Sequence, residues 1–130
     1  MSKQQGFTLI ELMVSVGVVG ILATIAVPSY QSFFVRGNRA VSEAFMVDAA
    51  SREKQYLLDV RNYTSNLTTL YGGAVSAVPA DVSKNYSISI TVTAAPVAFL
   101  ITATPVSTQQ TADGALTLDS SGAKSPAGKW

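Results

Sequence analysis

Cysteine and histidine are both absent from the 130-residue chain, and their absence excludes many kinds of chemistry. No disulfide, cysteine nucleophile or histidine base is available, nor are the usual ligands of zinc, copper or haem. Carboxylates could still bind a hard cation such as calcium, but no loop has the spaced acidic pattern of an EF-hand. The 8 acidic residues show no pairing that suggests catalysis. We therefore expect neither an enzyme nor a metal or other cofactor.

Charge is also scarce, and its scarcity is concentrated near the N-terminus. Charged residues make up 13 % of the chain and hydrophobic residues 48 %. No charged residue occurs from Leu12 to Val35, about 24 residues that would span roughly 36 Å as a helix, enough to cross a bilayer. The rest of the chain has an ordinary composition and is long enough for one small head domain. The net charge of +1 gives no overall field to attract nucleic acid or an anionic bilayer, so such binding would need a local basic patch.

The apolar run admits three general interpretations: a secretory signal peptide, a plain membrane anchor or a buried core helix. A signal peptide is disfavoured because the run carries Glu11 near its start and lacks a good small-x-small cleavage site. A carboxylate inside an apolar helix is costly and normally has a partner or a function. A purely structural explanation for Glu11 is its position near the end of the helix. There its carboxylate can reach the headgroups and is stabilised by the positive end of the helix dipole.

The residues around Glu11 support a functional explanation. The segment Gly6-Phe7-Thr8-Leu9-Ile10-Glu11, preceded by a short polar leader, resembles the class III signal of type IV pilins and pseudopilins. This resemblance implies cleavage by a prepilin peptidase between Gly6 and Phe7, and N-methylation of the new Phe7 amine. It also implies that Glu11 neutralises the Phe7 amine of a neighbouring subunit in the filament core. An unpaired charge is expensive in such a core, so the carboxylate would select the register that supplies its counter-charge.

Gly17, Gly20 and Pro28 interrupt the apolar run. Glycine costs a helix about 1 kcal/mol relative to alanine and proline about 3 kcal/mol. The glycines could simply permit close helix packing. The resemblance to pilins implies instead that the stretch from Gly20 to Pro28 loses its helical form when the subunit enters the fibre. It also implies that the leader faces the cytoplasm, which charge counting does not predict, because one lysine precedes the run and two arginines follow it.

Helical sequence continues beyond Val35 to about Val60. Two pairs at i, i+4 spacing, Arg39–Glu43 and Asp48–Arg52, are expected to form surface ion pairs. Apolar residues fall on two sides of this helix: Val41, Phe45, Ala49, Tyr56 and Val60 on one, and Ala40, Val47 and Leu58 on the other. The helix could therefore contact both its own head and neighbouring subunits, or it could be an imperfect core helix.

The C-terminal half is predicted to form a small antiparallel sheet. A polar loop from Arg61 to Lys84, with a short helix near residues 67–71, precedes a strictly alternating strand from Tyr86 to Val92. A turn at residues 94–96 leads to a second strand, Val97–Ala103, and a third follows at Ala115–Asp119. The predicted class is α+β: a long N-terminal helix packed on an antiparallel sheet of about three strands or more, the pilin fold. Its parts are a leader (1–6), an apolar membrane or filament-core helix (7–35) and a globular head (36–130).

The tail resembles that of PilE-type minor pilins. The resemblance lies in Asp119-Ser120-Ser121-Gly122-Ala123-Lys124, in the terminal Gly128-Lys129-Trp130 and in the earlier Lys84-Asn85-Tyr86-Ser87-Ile88. Such proteins usually close this region with a disulfide, which this chain lacks. Losing a disulfide typically costs about 2–5 kcal/mol, so other contacts must compensate. Trp130 could be one, as an apolar plug, or it could be a frayed terminal aromatic.

These observations give a leading function and two alternatives. The resemblance implies a structural subunit of a type IV pilus used for twitching motility, adhesion or DNA uptake. It favours a minor subunit over the major one. Its partners would be other pilin subunits, the prepilin peptidase and the inner-membrane assembly platform; the precursor would be a single-pass inner-membrane protein and the assembled form an extracellular fibre. The alternatives are a type II secretion pseudopilin and a DNA-binding minor pilin. Beyond the helix, the lysines that the head offers to nucleic acid are Lys84, Lys124 and Lys129.

Overall fold

The computed structural model describes residues 6–73 and 77–130. The predicted leader, residues 1–6, therefore lies outside the described residues except for Gly6. In chain order the elements are α1 (Leu9–Val60), α2 (Leu67–Leu70), α3 (Ala80–Ser83), β1 (Tyr86–Ala94), β2 (Val97–Pro105), a 3₁₀ turn (Thr111–Asp113), β3 (Leu116–Asp119) and β4 (Lys124–Ser125). The chain divides into two compact units, Met1–Phe34 and Val35–Trp130.

The first unit consists of the N-terminal part of α1, which is helical through Gly17, Gly20 and Pro28. Among the described residues, α1 is the helix whose length and composition would allow it to cross a membrane. Serine and threonine hydroxyl groups of this part are satisfied within the helix: Ser15 donates to the carbonyl of Glu11 (2.7 Å) and Thr24 to that of Ile21 (2.7 Å). Polar groups that are satisfied internally are what an apolar environment requires.

The second unit begins with the remainder of α1, which buries one narrow seam. Ser42, Phe45, Met46, Ala49, Ala50 and Glu53 are buried, at the i, i+3, i+4, i+7 spacing of one helix face. Phe45 and Ala49 were predicted on one side with Val41 and Val60, but these two valines are 46 % and 54 % exposed. The seam instead includes Met46 and Ala50, which follow Phe45 and Ala49 in the chain. Its first and last members, Ser42 and Glu53, are polar.

A four-stranded antiparallel sheet in the order β1-β2-β3-β4 completes the unit. Ile90 pairs with Ile101, and Ile101 pairs in turn with Leu118, which places these residues in one row across three strands. The inward side chains of the sheet join the helix seam in one core cluster; the fully buried members include Met46, Ala49, Tyr86, Ile101 and Leu116. The serines and threonines of β1 at alternate positions are exposed, as the alternation predicts.

The structure confirms the α+β prediction, the three strands and the short helix at Leu67–Leu70. Each of the first two strands extends two residues further than predicted. α3 and β4 were not predicted. β4 has only two residues and pairs Ser125 with Thr117, so it is too short to show an alternation in the sequence.

Candidate functional site

The N-terminus of α1 is closed by a reciprocal cap between Thr8 and Glu11. The Glu11 Oε2 atom accepts hydrogen bonds from the Thr8 hydroxyl (2.8 Å) and the Thr8 backbone N–H (3.2 Å). In return, the Glu11 N–H donates to Thr8 Oγ1 (3.3 Å). This is a capping box, in which two otherwise unpaired backbone N–H groups are satisfied by side chains. The Thr-x-x-Glu spacing in the sequence is typical of a capping box, but the sequence analysis did not predict one from it.

The same geometry leaves the Glu11 carboxylate available for a second partner. Among residues 6–73 and 77–130, the hydrogen bonds to the Glu11 side chain use Oε2 only, and Glu11 is exposed. Phe7 is 85 % exposed and lies just before the helix, with Gly6 preceding it. Both the charge and the residue predicted to supply its counter-charge in a neighbouring subunit are therefore accessible.

An apolar surface extends along the helix on both sides of Glu11. Its large side chains are exposed, including Leu9 (78 %), Ile10 (66 %), Ile25 (67 %) and Phe33 (70 %). An added Cβ at Gly17 or Gly20 would have no neighbour within 4 Å in the isolated subunit. Apolar area of this extent is expected only where a bilayer or other subunits cover it.

In the second unit, Asp113 is the centre of a buried polar cluster. Its carboxylate is 3 % exposed and forms an ion pair with Arg39, whose Nε lies 2.7 Å from Asp113 Oδ2. The Tyr86 hydroxyl donates to the same oxygen at 2.6 Å. The buried Gln110 amide donates to the Tyr86 hydroxyl (2.8 Å) and to the Val35 carbonyl (2.8 Å). One carboxylate thus links α1, β1 and the 3₁₀ turn.

This cluster also holds the C-terminal segment. The Lys129 ammonium donates to the Asp113 backbone carbonyl and lies 3.7 Å from its Oδ1. The Arg39 guanidinium donates to the Lys129 carbonyl at 3.3 Å. Trp130 is half-buried against the core, and its ring faces the Lys124 ammonium at 4.8 Å. These contacts tether a tail that has no disulfide, and they agree with a plug rather than a frayed terminus.

The predicted Arg39–Glu43 pair is wrong, whereas Asp48–Arg52 is confirmed at 2.9 Å. Arg39 binds Asp113 because a carboxylate that is only 3 % exposed has few competing water molecules and offers a strong partner. Glu43 is left with a buried Oε1 that has no hydrogen bond.

Asp48 and Arg52 contact an aromatic side chain as well as each other. The Tyr71 hydroxyl donates to Asp48 Oδ2 at 2.6 Å, and the Arg52 guanidinium lies 4.3 Å above the Tyr71 ring. The hydrogen bond from Tyr71, followed by that from Arg52, lowers the pKa of Asp48. Tyr71 also stacks on Phe45, so the group attaches α2 to the head half of α1.

Glu53 is a fully buried carboxylate that sequence reasoning did not identify. Its Oε2 accepts from the Thr64 backbone N–H (3.1 Å), while its Oε1 has no hydrogen bond. Burial raises its pKa, and the bond from Thr64 opposes this shift. Glu53 anchors the turn that follows α1.

Known proteins resemble the chain in both units. A model described as "Prokaryotic N-terminal methylation motif" matches residues 1–27, and a model described as "Type IV minor pilin ComP, DNA uptake sequence receptor" matches residues 28–117. A type IV pilin from Shewanella oneidensis has a similar solved structure, with a TM-score of 0.57 and 26 % identity over 74 % of this chain and 97 % of that one.

Curated relatives carry pilin and fimbrial names. The fimbrial protein EcpC of Eikenella corrodens is 36 % identical over 81 % of this chain and 65 % of its own length. PilA4 of Thermus thermophilus, a major component of a type IV wide pilus, is 34 % identical over 64 % of this chain and 63 % of its own length. The matches thus leave more than a third of each relative uncovered.

The capped apolar helix, the antiparallel sheet and these matches define a type IV pilin subunit. Within that class, the chain belongs to the family described as type IV minor pilin ComP, whose model spans most of it. Members of this class are structural subunits of pili.

Proposed function

We propose that this chain is a pilin precursor that is cleaved between Gly6 and Phe7, methylated on the Phe7 amine and assembled into a surface filament. The observation that carries the proposal is the free oxygen of Glu11 beside an exposed apolar helix. The helix would be buried among those of other subunits, and each Glu11 would accept the Phe7 amine of a neighbour. Its three parts would be the leader (1–6), the core helix (7–35) and the head (36–130). Its work would be structural rather than catalytic.

The partners and location follow from the same mechanism. Before assembly the precursor would span the inner membrane once, with its head outward, and would meet the prepilin peptidase and the assembly platform there. Afterwards it would contact other pilin subunits in an extracellular fibre. Mass spectrometry of sheared fibres tests this directly. A peptide that begins at N-methylated Phe7, in trace amounts beside another pilin, would support a minor subunit; its absence from fibres but presence in membranes would support a pseudopilin.

Two variants separate the capping role of Glu11 from its assembly role. Glu11→Gln keeps a side-chain acceptor for the cap but removes the charge, because Gln also serves in capping boxes. Thr8→Ala removes the side-chain half of the cap and keeps the charge. We expect the chain to be lost from fibres with Glu11→Gln and to be retained in them with Thr8→Ala. The opposite result would mean that Glu11 acts through the helix cap and not through a neighbouring amine.

Gly17, Gly20 and Pro28 are proposed as the flexible part of the core helix. α1 is continuous through them in the structure, at the cost that glycine and proline impose on a helix. Local loss of helix on entry into the fibre would relieve this cost. The double variant Gly20→Ala, Pro28→Leu should stiffen the stretch and make fibres less extensible. Unchanged extensibility and assembly would contradict the proposal.

A second candidate function, that of a DNA-binding receptor for uptake, is favoured by the family model that spans residues 28–117. Lys54, Lys84 and Lys124 are exposed and are absent from the ion pairs of the described residues, so they could bind phosphates. The test is binding of the detergent-solubilised chain to duplex DNA as the salt concentration is raised. Binding that weakens steeply with salt would support a receptor, and failure to bind at low salt would exclude one.

A further inference from the structure

The sheet of the head has an open edge along β1. This strand stands first in the order β1-β2-β3-β4 and pairs with β2 on one side. Among residues 6–73 and 77–130, no strand pairs with its other side. An edge strand presents a row of unpaired backbone N–H and C=O groups, and such a row can bind a further strand.

Two backbone hydrogen bonds show which residues of β1 face this edge. Val106 donates to the carbonyl of Asn85 at 2.9 Å, so these two residues form a hydrogen-bonded pair just before the strand. Ser120 donates to the carbonyl of Phe99 at 3.0 Å, so Phe99 is directed to β3 and the residues on either side of it to β1. The direction of the backbone groups alternates along an antiparallel strand, so alternate residues of β1 face the open edge. Away from the ends of the strand these residues are Ile88, Ile90 and Val92.

β1 lacks the features that usually protect a sheet edge from pairing. Those features are a short strand, charged side chains, proline and bulges. β1 has 9 residues, contains no charged residue and no proline, and pairs with β2 in one unbroken register. The opposite edge is protected, because β4 has only 2 residues and one of them is Lys124. The two edges of the same sheet therefore differ in their capacity to bind another strand.

We propose that the open edge of β1 pairs with the same edge of a second copy of this chain. The strand complements itself in the antiparallel orientation. When Ile90 lies opposite Ile90 of the second copy, all 9 residues overlap and each edge-facing residue meets another edge-facing residue. Ile88 then lies opposite Val92, and both are apolar side chains that a single subunit leaves half-buried. The second copy would cover them.

The outer face of the sheet fits the same register. Ser89 would lie opposite Thr91 of the second copy, and pairs of hydroxyl side chains in this position favour strand pairing. No like charges would meet, because the strand has none. The contact is isologous and closes on two copies, whereas a fibre grows through heterologous contacts. The pairing is therefore additional to the proposed assembly of the fibre and does not depend on it.

Because the chain has no cysteine, single cysteines can test the register. Full-length Ser89→Cys and Thr91→Cys chains, one of them carrying a size tag, would be mixed in detergent and mildly oxidised. Their Cα atoms would lie about 4.5 Å apart across the pair, within the range of about 4.4–6.8 Å that a disulfide spans. Thr91→Cys mixed with Thr93→Cys is the matched control. Thr93 would face Ser87, so the two cysteines would lie about 13 Å apart.

We expect a mixed disulfide dimer from Ser89→Cys with Thr91→Cys and none from the control mixture. Equal cross-linking in the two mixtures, or no cross-linking in either, would refute the proposal. A chain that instead binds an added peptide of alternating Thr and Val, and not itself, would make the edge a site for other extended segments and would also refute self-pairing.

Added charge tests the same contact without cysteine. Ser89→Lys with Thr91→Lys would set like charges opposite each other twice, and sedimentation should show a dimer dissociation constant raised about fivefold. Leu100→Lys with Thr104→Lys adds the same charge to exposed positions one strand further from the edge and should have little effect. Equal dissociation constants for the two variants would contradict pairing through β1. Cleavage at Gly6 and recovery in fibres, measured separately in cells, report on the pilin function itself.

Discussion

Replacing Asp113 with alanine would remove the acceptor shared by Arg39, Tyr86 and Lys129. The carboxylate is 3 % exposed and the Arg39 side chain 17 % exposed, so both lie mostly out of water. Breaking a buried ion pair from one side costs about 3–5 kcal/mol, because it leaves the other charge unpaired. Partial exposure of Arg39 places the expected loss near 3 kcal/mol, at the lower end of that range. This is of the order of the 2–5 kcal/mol that removal of a disulfide typically costs a small domain.

The assay is urea unfolding of the full-length chain in detergent, followed by the fluorescence of Trp130 and by hydrogen exchange of amides in the core and near the C-terminus. Asp113→Asn should lose less, about 1.5–3 kcal/mol, because it keeps an oxygen for one donor but loses the charge. Asp81→Asn is the matched control: its carboxylate is exposed, and the change should stay within about 0.5 kcal/mol.

Two results would refute this reasoning. A cost below about 1 kcal/mol for Asp113→Ala, similar to that of the control, would show that the cluster does not stabilise the head. Loss of stability without increased exchange near the C-terminus would show that Asp113 supports the sheet but does not tether the tail. In either case another contact would have to replace the missing disulfide.

Three further predictions concern buried and paired groups. Burial raises the pKa of Glu53. The contribution of Glu53 to stability is therefore fully present below its unfolded pKa and is lost as the pH rises through its folded pKa. Glu53→Gln should stabilise the head at neutral pH, and urea titrations at several pH values would show this. Tyr71→Phe removes the largest cause of the lowered pKa of Asp48, so an NMR titration should find that pKa closer to its ordinary value, and an unchanged pKa would contradict the assignment. Met46→Ala should cost the head about 2–5 kcal/mol in the same urea assay, whereas Leu58→Ala, at 82 % exposure, should change stability by less than about 0.5 kcal/mol.

Most of the secondary structure could be predicted because its signals are local. The helix to Val60 follows from its composition, the first strand from strict alternation, and the second from an apolar run after the turn at Pro96. The buried seam of α1 was only partly predicted. Ser42 and Glu53 belong to it although they are polar, because the position of a side chain on the helix and the sheet beneath it decide burial. A hydrophobicity pattern gives no sign of a polar residue at a buried position.

The capping box shows a signal that was present but unused. Glu11 was interpreted through its resemblance to a pilin signal, while the Thr8-to-Glu11 spacing also predicts a reciprocal cap. The two explanations do not compete, because the cap uses one carboxylate oxygen and leaves the other free. The cap and the proposed intersubunit pair can therefore coexist.

The sequence by itself determined the apolar helix, its polar start at Glu11, the strand pattern and the family resemblance, since each depends on residues close together in the chain. Only the tertiary structure decided the partner of Arg39. Asp113 lies 74 positions away and Lys129 lies 90 positions away, so no local spacing predicts either contact. The nearer candidate, Glu43, was wrong because an ion pair forms where burial strengthens it most, and burial is set by packing between distant segments.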